Sequence, residues 1–248
     1  MRIFVAGASG AIGRRLVPLL VEAGHEVHGG ARGERGAAVL RRLGATPCVA
    51  DVFDRDALHA ALGRARPEFV IHQLTDLPAG LDPARLGEAI ARNARIRSEG
   101  TANLVAATLA AGCGRMVAQS IAWAYAPGDG PRRESDPLDM AAAGPRATTV
   151  QGVAALEAAV LRTPGLAGCV LRYGRLYGPG TGTDASSDPL RVHVDAAACA
   201  ALLALREDAL GVFNVCEANE QVSSARAVEQ LGWSAAFRLS DAAVGSVR

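Results

Sequence analysis

The sequence predicts an α/β fold: a doubly wound parallel sheet with a small, shortened C-terminal lobe. Three observations predict it. Short apolar runs alternate with segments of helical periodicity through the first 170 residues. The runs are almost continuously apolar, as strands covered on both faces are. The first run leads straight into a glycine-rich turn and then a helix, the arrangement that cradles the phosphates of a dinucleotide.

The chain opens on the strand Arg2-Ile3-Phe4-Val5-Ala6, followed by Gly7-Ala8-Ser9-Gly10-Ala11-Ile12-Gly13. Gly7 turns the chain sharply off the strand, Gly10 puts no side chain in the way of a pyrophosphate, and Gly13 lets the helix pack closely. The helix near 11–24, with Leu16, Leu19 and Leu20 on its apolar side, aims free N–H groups and its positive dipole end at the phosphates. Gly7, Ser9, Gly10, Ala11, Ile12 and Gly13 are therefore the expected cofactor-binding turn. Strand 26–31, a helix near 34–43, strand 46–50, a helix near 55–64 and strand 68–73 follow. A loop with Pro78, Gly80 and Pro83 leads to a long helix near 85–111 and strand 115–119. Residues 126–148, rich in Pro, Gly and charge, read as a surface loop before a helix near 149–162 and strand 167–172. Residues 177–191 read as irregular. An alanine-rich helix near 195–206, strand 211–215, a short helix near 224–231 and a loosely held tail after Leu239 complete the chain. The expected division is a dinucleotide-binding domain over 1–170 and a reduced substrate lobe over 171–248, interleaved with the last strands.

Composition excludes several functions. A formal net charge of +1 offers no field for nucleic acid or an anionic membrane. The five cysteines are scattered without C-x-x-C spacing, so buried thiols in a reducing compartment are expected and no metal site is. The most apolar run, Ala196–Leu205, is too short to span a bilayer, and a cytoplasmic protein is expected. All 26 Lys+Arg residues are arginine; the chain has no lysine.

The second strand ends Gly29-Gly30-Ala31-Arg32, with no carboxylate before Glu34 to hold ribose hydroxyls. Arg32 can instead pair with a 2′-phosphate, which favours NADP, with NAD the alternative. Asp51 and Val52 close the third strand, where the carboxylate can accept from the adenine amino group or simply cap a turn. Gln73 and Leu74 follow the fourth strand at its carboxyl end, where ligands sit. His72 before them reads as a satisfied core histidine rather than a catalytic one.

These pieces, in this order, resemble the extended short-chain dehydrogenase/reductases, also called NAD-dependent epimerase/dehydratases, a Rossmann-type family. The resemblance also rests on Gly100-Thr101-Ala102-Asn103-Leu104, Glu134-Ser135-Asp136-Pro137-Leu138, Leu171 through Gly180, His193-Val194-Asp195, Gly211 through Val215, and Leu231-Gly232-Trp233. It implies a Tyr-x-x-x-Lys pair after the fifth strand and a Ser at that strand's end. Ser120 keeps the Ser position, but Thr149 and Val153 stand where the pair belongs, and Arg97 replaces an active-site Asn, with Asn93 one turn earlier. Only Thr181–Val192 remains of the usual substrate segment. Ser120, Tyr125 and Tyr173 are the surviving candidate catalytic groups, and Arg172 with Tyr173 the candidates for the nicotinamide side. Arg172 and Arg175 are also candidates for an anionic substrate. The resemblance implies an atypical NADP(H)-dependent reductase or epimerase acting on a small carbonyl or hydroxyl compound. The alternative is a cofactor-binding sensor or partner-binding protein without catalysis. A homodimer through the helices near 85–111 and 149–162 is expected, on the apolar Val150, Val153, Ala154, Leu156, Ala158 and Val160.

Overall fold

The apolar runs become β1 (Arg2–Ala6), β2 (Glu26–Ala31), β3 (Thr46–Val49), β4 (Phe69–His72), β5 (Arg115–Ile121) and β6 (Ala167–Tyr173), all within about a residue or two of their expected bounds. Then come β7 (Arg175–Tyr177), β8 (Arg191–His193) and β9 (Gly211–Val215). The computed structural model describes residues 1–77 and 83–240. The expected loop positions Pro78 and Gly80, and the tail beyond Ser240, lie outside them. Seven strands form one parallel sheet in the order β3-β2-β1-β4-β5-β6-β9. β1 therefore sits between β2 and β4, where the winding reverses, and a crevice opens beyond the strands' carboxyl ends.

Helices α1 (Ala11–Glu22), α2 (Glu34–Arg42), α3 (Arg55–Ala65), α4 (Pro83–Arg95), α5 (Thr101–Ala110), α6 (Gly144–Arg162) and α7 (Val194–Leu203) cover the sheet. Strand side chains alternate between two apolar cores. Ile3, Val5, Ile71, Val117 and Leu171 pack against Leu16 and Leu20 of α1, Leu40 of α2 and the alanines of α7. Phe4, Val70, Met116, Ala118 and Val170 pack against Leu62 of α3, Leu104 of α5 and Leu156 of α6. A buried Arg15–Asp195 ion pair ties α1 to α7.

Several elements differ from the sequence reading. The long helix expected near 85–111 forms as one uninterrupted helical run through α4 and α5, with a π-turn at Ile96–Gly100 in its middle. α6 starts at Gly144, five residues inside the expected loop, because Pro145 occupies a first-turn position that needs no N–H. Residues 177–191 are not wholly irregular: β7 and β8 pair in parallel, with segments too short to show a pattern. The short helix near 224–231 is a π-turn over Ala227–Leu231. On α6, Val150, Val153, Leu156 and Val160 are buried within the chain, whereas Ala154 and Ala158 remain partly exposed.

Candidate active site

The glycine turn is built by exclusion. Gly7 has φ +85°, and a Cβ there would lie 2.5 Å from the Gln73 carbonyl oxygen. A Cβ on Gly13 would lie 2.4 Å from the carbonyl oxygens of Gly7 and Ala8. Gly10 caps α1 with no side-chain hydrogen bond, so the first amides of the helix stay open to a ligand. Ala11 and Ile12 supply two of those amides from the backbone of the first turn.

A crevice runs from this turn across the ends of β1, β2, β3 and β4. Gly7, Ser9, Gly10, Arg32, Asp51, Val52, Gln73 and Leu74 line it, together with Gly30, Phe53 and Ile96. Asp51 accepts from the Phe53 N–H at 2.9 Å, so its carboxylate caps a turn, while Asp54 caps α3. Arg32 reaches over the mouth and pairs loosely with Asp76 at 3.6 Å. Gln73 is the unexplained group: both polar atoms of its amide are buried without a partner among the described residues. Such a group calls for a ligand's hydrogen bonds. An open helix end, a turn with no room for side chains and an orphaned amide together fit a dinucleotide.

His72 beside it is satisfied. Its Nδ1 accepts from the Leu74 N–H at 3.2 Å, which leaves Nε2 to donate to Thr101 Oγ1 at 2.9 Å. Complete burial, helped by the nearby Arg97 cation, pushes its pKa down to about 4, so the imidazole is neutral at pH 7.

The three hydroxyls singled out from the sequence lie on the next strands, and the structure gives each a partner inside the protein. Ser120 Oγ donates to Glu157 Oε1 at 2.8 Å. Arg172 closes on the same carboxylate in two-pronged fashion, at 2.8 and 2.7 Å. The Arg172 guanidinium also stacks over Tyr125, 4.6 Å from the ring centroid. Tyr125 donates to Asn214 Oδ1 at 2.7 Å, and burial pushes its pKa up to about 12. Tyr173 donates to the Ala197 carbonyl at 3.1 Å from within the α1–α7 core, and burial raises its pKa too. The neighbouring Gln73 amide works against that rise. None of Ser120, Tyr125, Arg172 and Tyr173 lines the dinucleotide crevice. Tyr125 instead borders a separate hollow with Trp123, Arg132 and Val222. Glu157 and Asn214, which organise this network, were not among the expected site residues; a buried carboxylate's need for a cation is the signal that could have paired Glu157 with Arg172.

The two residues that the resemblance sets in the place of the pair both engage groups within the chain. Thr149 Oγ1 donates back to Pro145 O at 3.2 Å, and Val153 is fully buried with Ile121, Ala124 and Val150.

Residues 3–205 match the model of the NAD dependent epimerase/dehydratase family. The chain belongs to this family. Its role is accordingly of the NAD(P)-binding oxidoreductase or epimerase type. A relative among curated proteins is 3-diazoavenalumate denitrifying reductase from a Streptomyces species, 44% identical over 238 residues, or 88% of this chain and 76% of the relative. Among solved structures, UDP-glucose-4-epimerase of Stenotrophomonas maltophila, with NAD and formylated UDP-arabinopyranose bound, superposes with TM-score 0.75. It is 19% identical, over 100% of this chain and 97% of its own. WbmG of Bordetella bronchiseptica, with NAD and UDP, gives 0.69 at 19% identity, over 100% and 94%.

Proposed function

We propose that the protein is an NADP(H)-dependent reductase whose substrate takes up hydride without needing a proton from the enzyme. The carrying observation is a contrast between two places: an open phosphate cradle at the start of α1, and, outside the crevice, Ser120, Tyr125 and Tyr173, each already committed to an internal partner. A tyrosine with a pKa raised to about 12 is a poor proton exchanger at neutral pH. The sequence similarity to a denitrifying reductase supplies a substrate class that suits this contrast. A bound nicotinamide supplies hydride, and a carbon bearing a diazonium group accepts it as the C–N electron pair leaves with N2, so no enzymic acid is required. The protein's own contribution is then to bind, orient and exclude water. Gly7, Ser9, Gly10, Ala11, Ile12 and Gly13 hold the diphosphate, while Asp51, Val52, Gln73 and Leu74 line the remaining wall.

NADP rather than NAD follows from Arg32. Its pair with Asp76 is long and solvent-exposed, hence weak, and a 2′-phosphate outcompetes it. In this reading residues 171–248 form the substrate lobe, the protein works as a homodimer through α4, α5 and α6, and its five free thiols belong in a reducing cytoplasm.

The test mixes the purified protein with deuterium-labelled NADPH and an arenediazonium salt. Expected are NADPH consumption, matched N2 release and deuterium on the product carbon. Consumption with ketones or sugar nucleotides but not with the diazonium overturns the substrate class. Cofactor binding with no turnover on any of them favours the second reading, a non-catalytic NAD(P)H-binding protein, which the engaged hydroxyls also suit.

A further inference from the structure

The hollow beside Tyr125 has no part in holding a dinucleotide. It opens between the loop after β5 and the C-terminal lobe, with Ala122, Trp123 and Tyr125 from the first and Leu190 and Val222 from the second. The same five side chains, with Cys216, form an apolar cluster of their own, apart from the two that sandwich the sheet. Both of its aromatic rings are fixed in place. The Arg175 guanidinium lies over Trp123, 4.7 Å from the ring centroid, and is itself held by Asp188 at 2.8 Å. Arg172 lies over Tyr125 in the same manner, and the Tyr125 hydroxyl is spent on Asn214. Such pre-positioned rings are the walls against which a flat aromatic group packs.

Among the described residues, one cation borders the hollow, and it too is held. The Arg132 N–H donates to Gln221 O at 2.7 Å, and its carbonyl accepts from the Ser223 N–H at 2.9 Å. Its Nη2 donates to Asp129 O at 2.8 Å, and the guanidinium packs so closely on Gly128 that a Cβ there has no room. Arg132 pairs with no carboxylate among the described residues, although the exposed Glu220 borders the same hollow. A planar guanidinium with N–H groups to spare matches a carboxylate. Ala122 and Trp123 follow directly from β5 and Cys216 from β9, so the hollow lies at the carboxyl edge of the sheet, the edge along which the crevice crosses β1 to β4. Ligands of doubly wound sheets gather at that edge.

We infer that this hollow receives an aromatic ring of the substrate and that the ring bears a carboxylate, which binds Arg132. The inference rests on the reductase reading above and names its substrate as an aromatic acid.

The experiment titrates benzoate, benzamide and cyclohexanecarboxylate into NADP+-loaded protein, followed by calorimetry and by tryptophan emission. Wild type is expected to bind benzoate about tenfold or more tighter than either the amide or the saturated acid. Benzoate should also change the emission, and Trp123→Phe should lose that change while still binding; the other tryptophan, Trp233, is buried with its Nε1 on Ala196 O. Arg132→Gln is expected to lose the preference for acid over amide while keeping its NADP+ affinity, and Arg132→Lys to retain part of it. Glu220→Gln, which removes the neighbouring negative charge, is expected to tighten benzoate. Equal binding of benzoate and benzamide by wild type, a preference that survives in Arg132→Gln, or an emission change that survives in Trp123→Phe overturns the inference. So does a loss of NADP+ affinity in Arg132→Gln, which assigns the guanidinium to the cofactor. If Arg132→Gln does not fold, Glu220→Gln decides: benzoate bound no more tightly than by wild type overturns the inference. The expected preferences without NADPH turnover on an arenediazonium salt overturn the reductase reading instead.

Discussion

Gly13 and Gly63 are both helical glycines, and their surroundings give opposite predictions. A Cβ at Gly13 strikes two backbone carbonyls at 2.4 Å, whereas one at Gly63 meets nothing within 4 Å. Gly13→Ala is expected to destabilise by about 2 kcal/mol and to weaken NADPH binding, because backbone must shift. Gly63→Ala is expected to stabilise by about 1 kcal/mol through helix propensity alone. Urea denaturation of the two variants checks both. His72 makes a pH prediction at the same scale. Its folded pKa of about 4 lies below the ordinary 6.5, so the unfolded chain takes up a proton first as pH falls. Its contribution is fully present above pH 6.5 and is lost between there and about 4, roughly 3 kcal/mol in all. His25 and His193, also lowered by burial, act in the same direction. Urea midpoints across that range should fall with pH in wild type, and His72→Gln should flatten the slope.

Helix α6 is held to its strands by polar and by steric contacts. Glu157 joins it to β5 through Ser120 and to β6 through Arg172. Glu157→Gln leaves the buried Arg172 without its countercharge and is expected to cost about 3–5 kcal/mol. Ser120→Ala leaves that pair intact and is expected to cost only about 1 kcal/mol. Turnover that survives Ser120→Ala shows the hydroxyl to be structural, whereas loss of turnover at nearly unchanged stability shows it to be catalytic. Further along, Gly168 of β6 lies so close that an added Cβ would sit 2.1 Å from Val160 O. Gly168→Ala is expected to lower the melting temperature by forcing α6 off the sheet.

At the scale of the molecule, the sheet, its helices and the tight glycine turn were legible because apolar periodicity and glycine spacing are local signals. The π-turn in the long helix was not, since the packing beside it sets Gly100 against Val52, some fifty residues away in sequence. The fates of Tyr125 and Tyr173 were equally hidden: their partners, Asn214 and the Ala197 carbonyl, become neighbours only after the chain folds. Assembly makes a further prediction. If α6 dimerises through its small outward residues, sedimentation should give twice the chain mass for wild type and the single mass for Ala158→Glu. The burial of Val153 bears on redesign as well. A lysine placed there would carry its ammonium into the greasy cluster of Ile121, Ala124 and Val150, where charge is disfavoured. Combining Thr149→Tyr with Val153→Lys is therefore expected to destabilise the fold rather than install a working pair. A proton relay installed at these two positions would require the roof of that cluster to be rebuilt with it.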